Sequence, residues 1–213
     1  MRWQPLPFYF LLSQDSDVEE AQRKNSGRWK LFAVLAVCAS PLIASYLTYY
    51  VIKPEGRTNY GSLIDPRAHP MPSLNTTALD GKPAGLQQFK GKWIMMFADG
   101  GECSESCRKR LHDMRQLRLA QGKERDRIER VWLVTDKQPL DTVLMREYDG
   151  THMLRSDPAM LKTWLPSEPP AAFTDHIYMI DPLGNLMMRF PKDADPNKIK
   201  KDLSKLLKAS RIG

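Results

Sequence analysis

The stretch "KWIMMFADGGECSESCRKRLHDM", residues 92–114, decides the fold. Residues 92–98 form an apolar run without alternation, the pattern of a central parallel strand covered on both faces. Leu111, Met114 and Leu117 then recur at helical spacing, and Gly122 stands where a helix is commonly closed. Between strand and helix lie Cys103 and Cys107, four residues apart. If the helix opens near Ser104, Cys103 sits at its mouth and Cys107 one turn along the same side, so both sulfurs approach one point. The unpaired N–H groups of the first turn and Arg108, Lys109 and Arg110 favour thiolate, while Glu102 and Glu105 oppose it. On spacing alone, a redox pair, a soft metal clamp for Cu(I), and two unrelated thiols all stay open.

Working outward, residues 128–136 ("IERVWLVTD") read as a second strand and 139–150 as a short helix with a proline start and a glycine stop. Residues 157–165 give another short helix, with Asp157 as its cap and Pro158 in its first turn. "HIYMID", "PLG" and "NLMMRF" (176–190) form a hairpin. Residues 195–211 form an amphipathic final helix with Ile199, Leu203, Leu206 and Leu207 on one stripe and lysines elsewhere. The order strand, helix, strand, helix, helix, hairpin, helix is that of an α/β, thioredoxin-like domain. In such sheets chemistry gathers where the first strand ends and the first helix begins.

The chain has 213 residues and a formal charge of +7. Residues 1–52 hold five basic and four acidic residues, which leaves about +6 to the remainder, without a Lys/Arg block that would indicate nucleic acid. An anionic membrane surface or an acidic protein fits that balance at least as well. Residues 31–52 ("LFAVLAVCASPLIASYLTYYVI") carry no charge and span roughly 33 Å as a helix, enough to cross a bilayer. Trp29, Tyr46, Tyr49 and Tyr50 supply interfacial aromatics, and Cys38 is read as a small apolar helix residue. Charge bias alone does not orient this span. The short head of residues 1–30 is expected to stay in the cytoplasm, with the rest exported to the periplasmic side of the inner membrane. Residues 53–73, with four prolines, read as an extended linker, and 74–213 as the domain.

Residues 74–107 ("LNTTALDGKPAGLQQFKGKWIMMFADGGECSESC"), "VTDKQPLDT" (134–142) and "HIYMIDPLGNL" (176–186) together resemble the SCO/SenC family of membrane-anchored, thioredoxin-fold proteins of cytochrome c oxidase assembly. The resemblance covers about residues 74–211 and the anchor. It implies Cys103 and Cys107 as catalytic thiols and as copper ligands, with His176 as the third ligand in the neighbourhood. It implies copper as cargo, and as partner the copper-site subunit of the oxidase or another respiratory assembly factor. Two departures stand out. The proline usual after the second cysteine is Arg108, and the position expected for the copper histidine, about eight residues before the "IDP" turn, is Phe173. His176 is offset by three, and an odd offset on a strand reverses the side-chain face. A core-edge histidine is therefore the competing reading of His176, and packing is the default for the methionine pairs Met95, Met96 and Met187, Met188. Two other functions compete: a metal-free thiol–disulfide oxidoreductase or peroxidase on the same fold, and a non-catalytic module that docks on a respiratory complex.

Overall fold

The structure is a computed structural model that describes residues 14–52 and 59–212. Two units are distinct in it, Met1–Gly56 and Arg57–Gly213. The first contains helix α1, Gln14–Leu47, extended by a π-helical turn over Thr48–Ile52. Within it, Arg28–Val51 is long and apolar enough to cross a membrane, and its side chains are exposed. The helix thus begins well before the apolar span, and part of the head expected over residues 1–30 is helical. Residues 1–12 and the first half-dozen linker residues, 53–58, lie outside the described residues.

The second unit is built on a seven-stranded mixed sheet. Its strands are β1 (Ser62–Leu63), β2 (Thr77–Ala78), β3 (Trp93–Asp99), β4 (Ile128–Val134), β5 (Thr151–Arg155), β6 (Tyr178–Ile180) and β7 (Leu186–Arg189). The helices are α2 (Glu105–Leu119), α3 (Thr142–Glu147), α4 (Pro158–Trp164) and α5 (Pro196–Ala209). The spatial order is β1-β7-β6-β3-β4-β5-β2. β3, β4 and β5 are parallel, and β6, β7 and β1 add antiparallel on one side.

The chemistry of the central strands explains this arrangement. Along β3, Met95 and Phe97 pack into one core with Leu111, Met114 and Leu117 of α2 and Ile199, Leu203 and Leu207 of α5. Ile94, Met96 and Ala98 turn the other way, against Leu161 and Trp164 of α4 and Leu86 and Phe89 of a 3-10 turn. Both faces are therefore buried, which is why the run lacks alternation.

Two segments differ from expectation. Ser62–Leu63, inside the stretch read as linker, pairs antiparallel with β7 in the register Ser62↔Arg189. The chain is fixed just before this strand by Asp202 of α5, whose carboxylate accepts the Tyr60 and Gly61 N–H groups at 2.7 and 2.9 Å. The second is β5, a strand in the short stretch between two helices, 139–150 and 157–165, to which the sequence reading gave no element. Its residues, "THMLR", bury only Met153 and Leu154, too few to carry a period. Paired to β4 on one side and to β2 on the other, it completes a β-α-β-α-β unit.

Candidate functional site

β3 and β4 end side by side, with Asp99 opposite Val134. From this edge the chain turns through Gly100 and Gly101 into α2, with Ser104 as the residue before the helix. The glycines are required by close approach. A Cβ on Gly101 would lie 2.9 Å from the Gln138 carbonyl oxygen and 3.0 Å from Asp136 Oδ1, and one on Gly100 would lie 2.8 Å from Asp136 Oδ2. Asp136 instead accepts the Gly101 N–H at 3.0 Å and the Gln138 N–H at 3.1 Å, tying the two strand-end loops together. Arg155 fixes the second loop by donating to the carbonyls of Asp136 (2.7 Å) and Gln138 (2.9 Å).

Held between these loops and α2, Cys103 and Cys107 form a disulfide with a Cα–Cα separation of 5.1 Å. Cys107 is in the first turn of α2, and Cys103 lies outside the helix with φ +49°, in the left-handed region. That conformation turns its sulfur back toward the helix, at a cost of roughly 1–2 kcal/mol for a non-glycine residue. Both cysteines pack into the core shared by α2 and α5. Both cysteines are buried, and Cys103, at 4% exposure against none for Cys107, is the less enclosed of the two.

The three cations that the sequence placed after the pair are each matched by a carboxylate. Arg110 pairs with Asp99 and lies over the Phe97 ring, 5.4 Å from its centroid. Lys109 pairs with Asp113. Arg108, half exposed, reaches Asp141 only at 3.9 Å, and Asp141 Oδ1 also caps α3 through the Val143 N–H. Arg108 is therefore the least committed cation near Cys107. The remaining support for a Cys107 thiolate is the set of unpaired N–H groups at the start of α2. Asp99, Asp136 and Arg155 were not singled out from sequence; the signal available was that Asp99 closes β3 and Asp136 follows β4 by two residues.

His176 lies elsewhere. Its backbone is extended, and its neighbour Ile177 belongs to the core that holds the cysteines, whereas Tyr178 belongs to the opposite core. The His176 ring meets Tyr178 edge to face, with centroids 5.9 Å apart. On extended backbone adjacent side chains alternate, so His176 shares the face of Tyr178 and turns away from the disulfide. Nδ1 is 2.8 Å from the Phe190 carbonyl oxygen and donates to it, which leaves Nε2 as the acceptor, buried without a partner. The structure thus joins Cys103 to Cys107 and does not bring His176 to them. Among the described residues no group of three His, Cys, Asp or Glu side chains is placed to hold a metal. His112 is exposed, and Met95 and Met96 are buried in opposite cores.

Burial holds the His176 imidazole below its ordinary value, with the Arg189 charge adding to the effect and the Phe190 hydrogen bond opposing it. The native state therefore takes up the proton at lower pH than the unfolded chain does. This contribution is constant above the unfolded value of about 6.5 and is lost as pH falls through it. Melting temperature of residues 57–213 is expected to drop between about pH 7 and pH 5.5. His176→Gln should flatten that part of the profile, and an unchanged profile would rule His176 out as its source.

A mixed sheet, a helix at its central edge and a disulfide closed at that edge define a thioredoxin-like protein. Residues 93–210, more than half of the chain, match the family described as "transmembrane-like, thioredoxin-like, C-terminal domain", and the protein belongs to that family. No curated protein matches the chain in sequence. Among solved structures, a SCO1/SenC family lipoprotein from Bacillus anthracis is similar with a TM-score of 0.51 and 17% identity, over 68% of this chain and 99% of that one. Yeast Sco1 with copper bound is similar with a TM-score of 0.50 and 13% identity, over 71% and 90%. A protein of Aquifex aeolicus gives 0.50 and 14%, over 65% and 96%. At these identities the likeness is one of fold.

Proposed function

We propose that this protein is a membrane-anchored, SCO-like factor that exchanges thiols and disulfides through Cys103 and Cys107 in the assembly of a respiratory oxidase. The observation that carries the reading is the Cys103–Cys107 disulfide, closed at the edge where β3 meets α2. The membrane-length helix and the fold shared with Sco proteins are consistent with it. In the exchange, a partner thiolate attacks Cys103 Sγ, the Cys103–Cys107 bond breaks, and Cys107 leaves as thiolate at the start of α2. A second partner thiolate then attacks the partner sulfur of the mixed disulfide. The partner leaves oxidised, the protein leaves as dithiol, and two electrons have moved. The reverse direction reduces a partner disulfide. We place the domain on the periplasmic side, where such a partner's copper-site cysteines would be met.

Copper, as cargo, would find two thiolates in the reduced pair. The residues present do not complete a three-ligand site with His176, which faces the opposite core, so no step is derived through the metal. Two experiments test the reading. Residues 57–213, which contain both cores, are equilibrated with glutathione buffers of graded potential and alkylated. Reversible two-electron titration of the pair is expected. A disulfide that fails to equilibrate with the buffers, or oxidase assembly in cells unaffected by loss of both cysteines, would leave the docking-module reading in its place. A Cu(I) titration of the reduced fragment, wild type beside His176→Ala, is expected to give the same affinity for both. A loss of about tenfold or more in His176→Ala would return the histidine to the site.

A further inference from the structure

Helix α5 packs Ile199, Leu203 and Leu207 inward and turns Lys198, Lys200, Lys201, Lys205 and Lys208 outward, followed by exposed Arg211. The one carboxylate of the helix, Asp202, is buried and accepts the Tyr60 and Gly61 N–H groups. The outer face of α5 thus presents a row of cations without an acidic residue of its own. The acidic residues around it are engaged in part: Asp195 caps the helix through the Asn197 N–H, Glu124 pairs with Arg127, and Asp126 pairs with Arg118. Asp193 is exposed beside the helix start, and Lys205 also reaches Asp202 at 3.6 Å.

The same helix receives the incoming chain. Besides the Asp202 bonds, the Asp195 N–H donates to the Tyr60 hydroxyl at 3.2 Å, and Lys198 lies 5.1 Å from the Tyr60 ring centroid. Tyr60 follows the last apolar residue of the membrane-length helix, Ile52, by eight positions. Fully extended, those positions reach at most about 29 Å. The domain helix with the most concentrated positive charge is therefore the one to which the tether is fastened.

We propose that the outer face of α5 is a docking surface for anionic lipid headgroups, and that it lays the domain on the bilayer that its own chain crosses. Lysines near an anionic leaflet are attracted within about a Debye length of it, and the tether keeps them at high local concentration. Because α5 covers one face of the sheet, this docking sets the sheet face against the membrane. The strand ends, with the Cys103–Cys107 disulfide, then point sideways along the membrane plane, toward the extramembrane part of a neighbouring membrane protein. The proposal rests on Arg28–Val51 crossing the bilayer.

The test uses the full chain reconstituted into vesicles of phosphatidylcholine alone or with about one-third phosphatidylglycerol. A membrane-impermeant acylating reagent is applied and lysine modification is followed by mass spectrometry. Lys200, Lys201, Lys205 and Lys208 are expected to react about threefold or more slowly on the anionic vesicles, and this protection should vanish near 1 M salt. Lys82 and Lys162, away from α5, should react alike in both. The triple variant K200E/K201E/K205E, with the disulfide still formed, should show no difference for Lys208 between the two vesicles. Equal rates for the wild-type α5 lysines would overturn the proposal and leave an acidic protein as the partner of this face. Extraction of the wild-type protein from the vesicles by alkaline carbonate would instead remove the membrane-crossing reading, and the proposal with it.

Discussion

Cys107→Ser is expected to accumulate mixed disulfides with thiol partners, whereas Cys103→Ser is expected to form almost none. The asymmetry follows from placement. Cys103 precedes α2 and is the less enclosed of the two, so its sulfur is the one expected to be attacked; Cys107 is fully buried, so alone it is expected to react little. Without Cys107, an adduct on Cys103 lacks the neighbouring thiol that would expel it. Well-placed intramolecular groups have effective molarities of about 10⁵ M upward, so turnover in either variant should fall by on the order of 10³-fold or more. Stability should change far less. The disulfide closes a loop of residues four apart, worth about 2 kcal/mol in the chain-entropy account. Against that stands roughly 1–2 kcal/mol for the left-handed backbone at Cys103. The two nearly cancel, which suits a bond that is made and broken in use rather than a staple. Reduction of residues 57–213 by dithiothreitol should therefore move the melting temperature by only a few degrees. Alkylation and mass spectrometry after incubation with a small thiol reads the trapping. Equal trapping in both serine variants would sink the assignment of Cys103 as the attacked sulfur.

What could be read from the sequence follows the strength of local patterns. β3, β4, α2 and α5 were legible because each is long enough for its period to show: Ile94 to Ala98 without alternation, Leu111, Met114 and Leu117 at helical spacing, Ile199, Leu203 and Leu207 as a stripe. β1, β2 and β5 were not. Ser62–Leu63 and Thr77–Ala78 are two residues each and exist only because β7 and β5 offer unpaired edges. At the site, the position of Cys103 and Cys107 followed from the strand-to-helix junction, because both partners lie within one turn. The supports of that junction could not be read in the same way. Asp136 meets Gly101 across 35 positions, and Arg155 meets the carbonyl of Asp136 across 19, so only the folded chain brings them together. The parity argument for His176 assumed extended backbone from Phe173 onward, whereas Phe173–Asp175 is a 3-10 turn and Phe173 packs on the same core as Tyr178, so the offset of three does not reverse the face there. What turns His176 from the disulfide is the alternation from Ile177 to Tyr178.

Trp132→Ala is expected to be among the most destabilising single changes and to loosen the cysteine loop as well. Trp132 is fully buried on β4 and stacks on Phe97 of β3, with centroids 5.8 Å apart and planes 12° from parallel. Removing so large a side chain from a packed core typically costs about 3–5 kcal/mol, part of it for the cavity left behind. For a domain of this size that lowers the melting temperature by on the order of 10 °C. The effect on the site runs through Asp99. Its carbonyl oxygen accepts from Trp132 Nε1 at 3.3 Å and from the Thr135 N–H at 3.0 Å, while its carboxylate holds Arg110 and the Gly100 N–H. Phe97, freed of its stacking partner, also lies under the Arg110 guanidinium. Two of the contacts that set the course from β3 into α2 would thus weaken together, and the disulfide should react faster with small thiols. Trp132→Phe separates the contributions. It keeps most of the volume and the stack, loses only the N–H, and leaves the Asp99 carbonyl bonded to Thr135, so a cost of about 1–2 kcal/mol is expected. Denaturant melts and disulfide reduction rates of the two variants read both effects. A Trp132→Ala cost no greater than that of Trp132→Phe would mean that the core beneath the cysteine loop tolerates the cavity, and that the loop is held by its polar contacts alone.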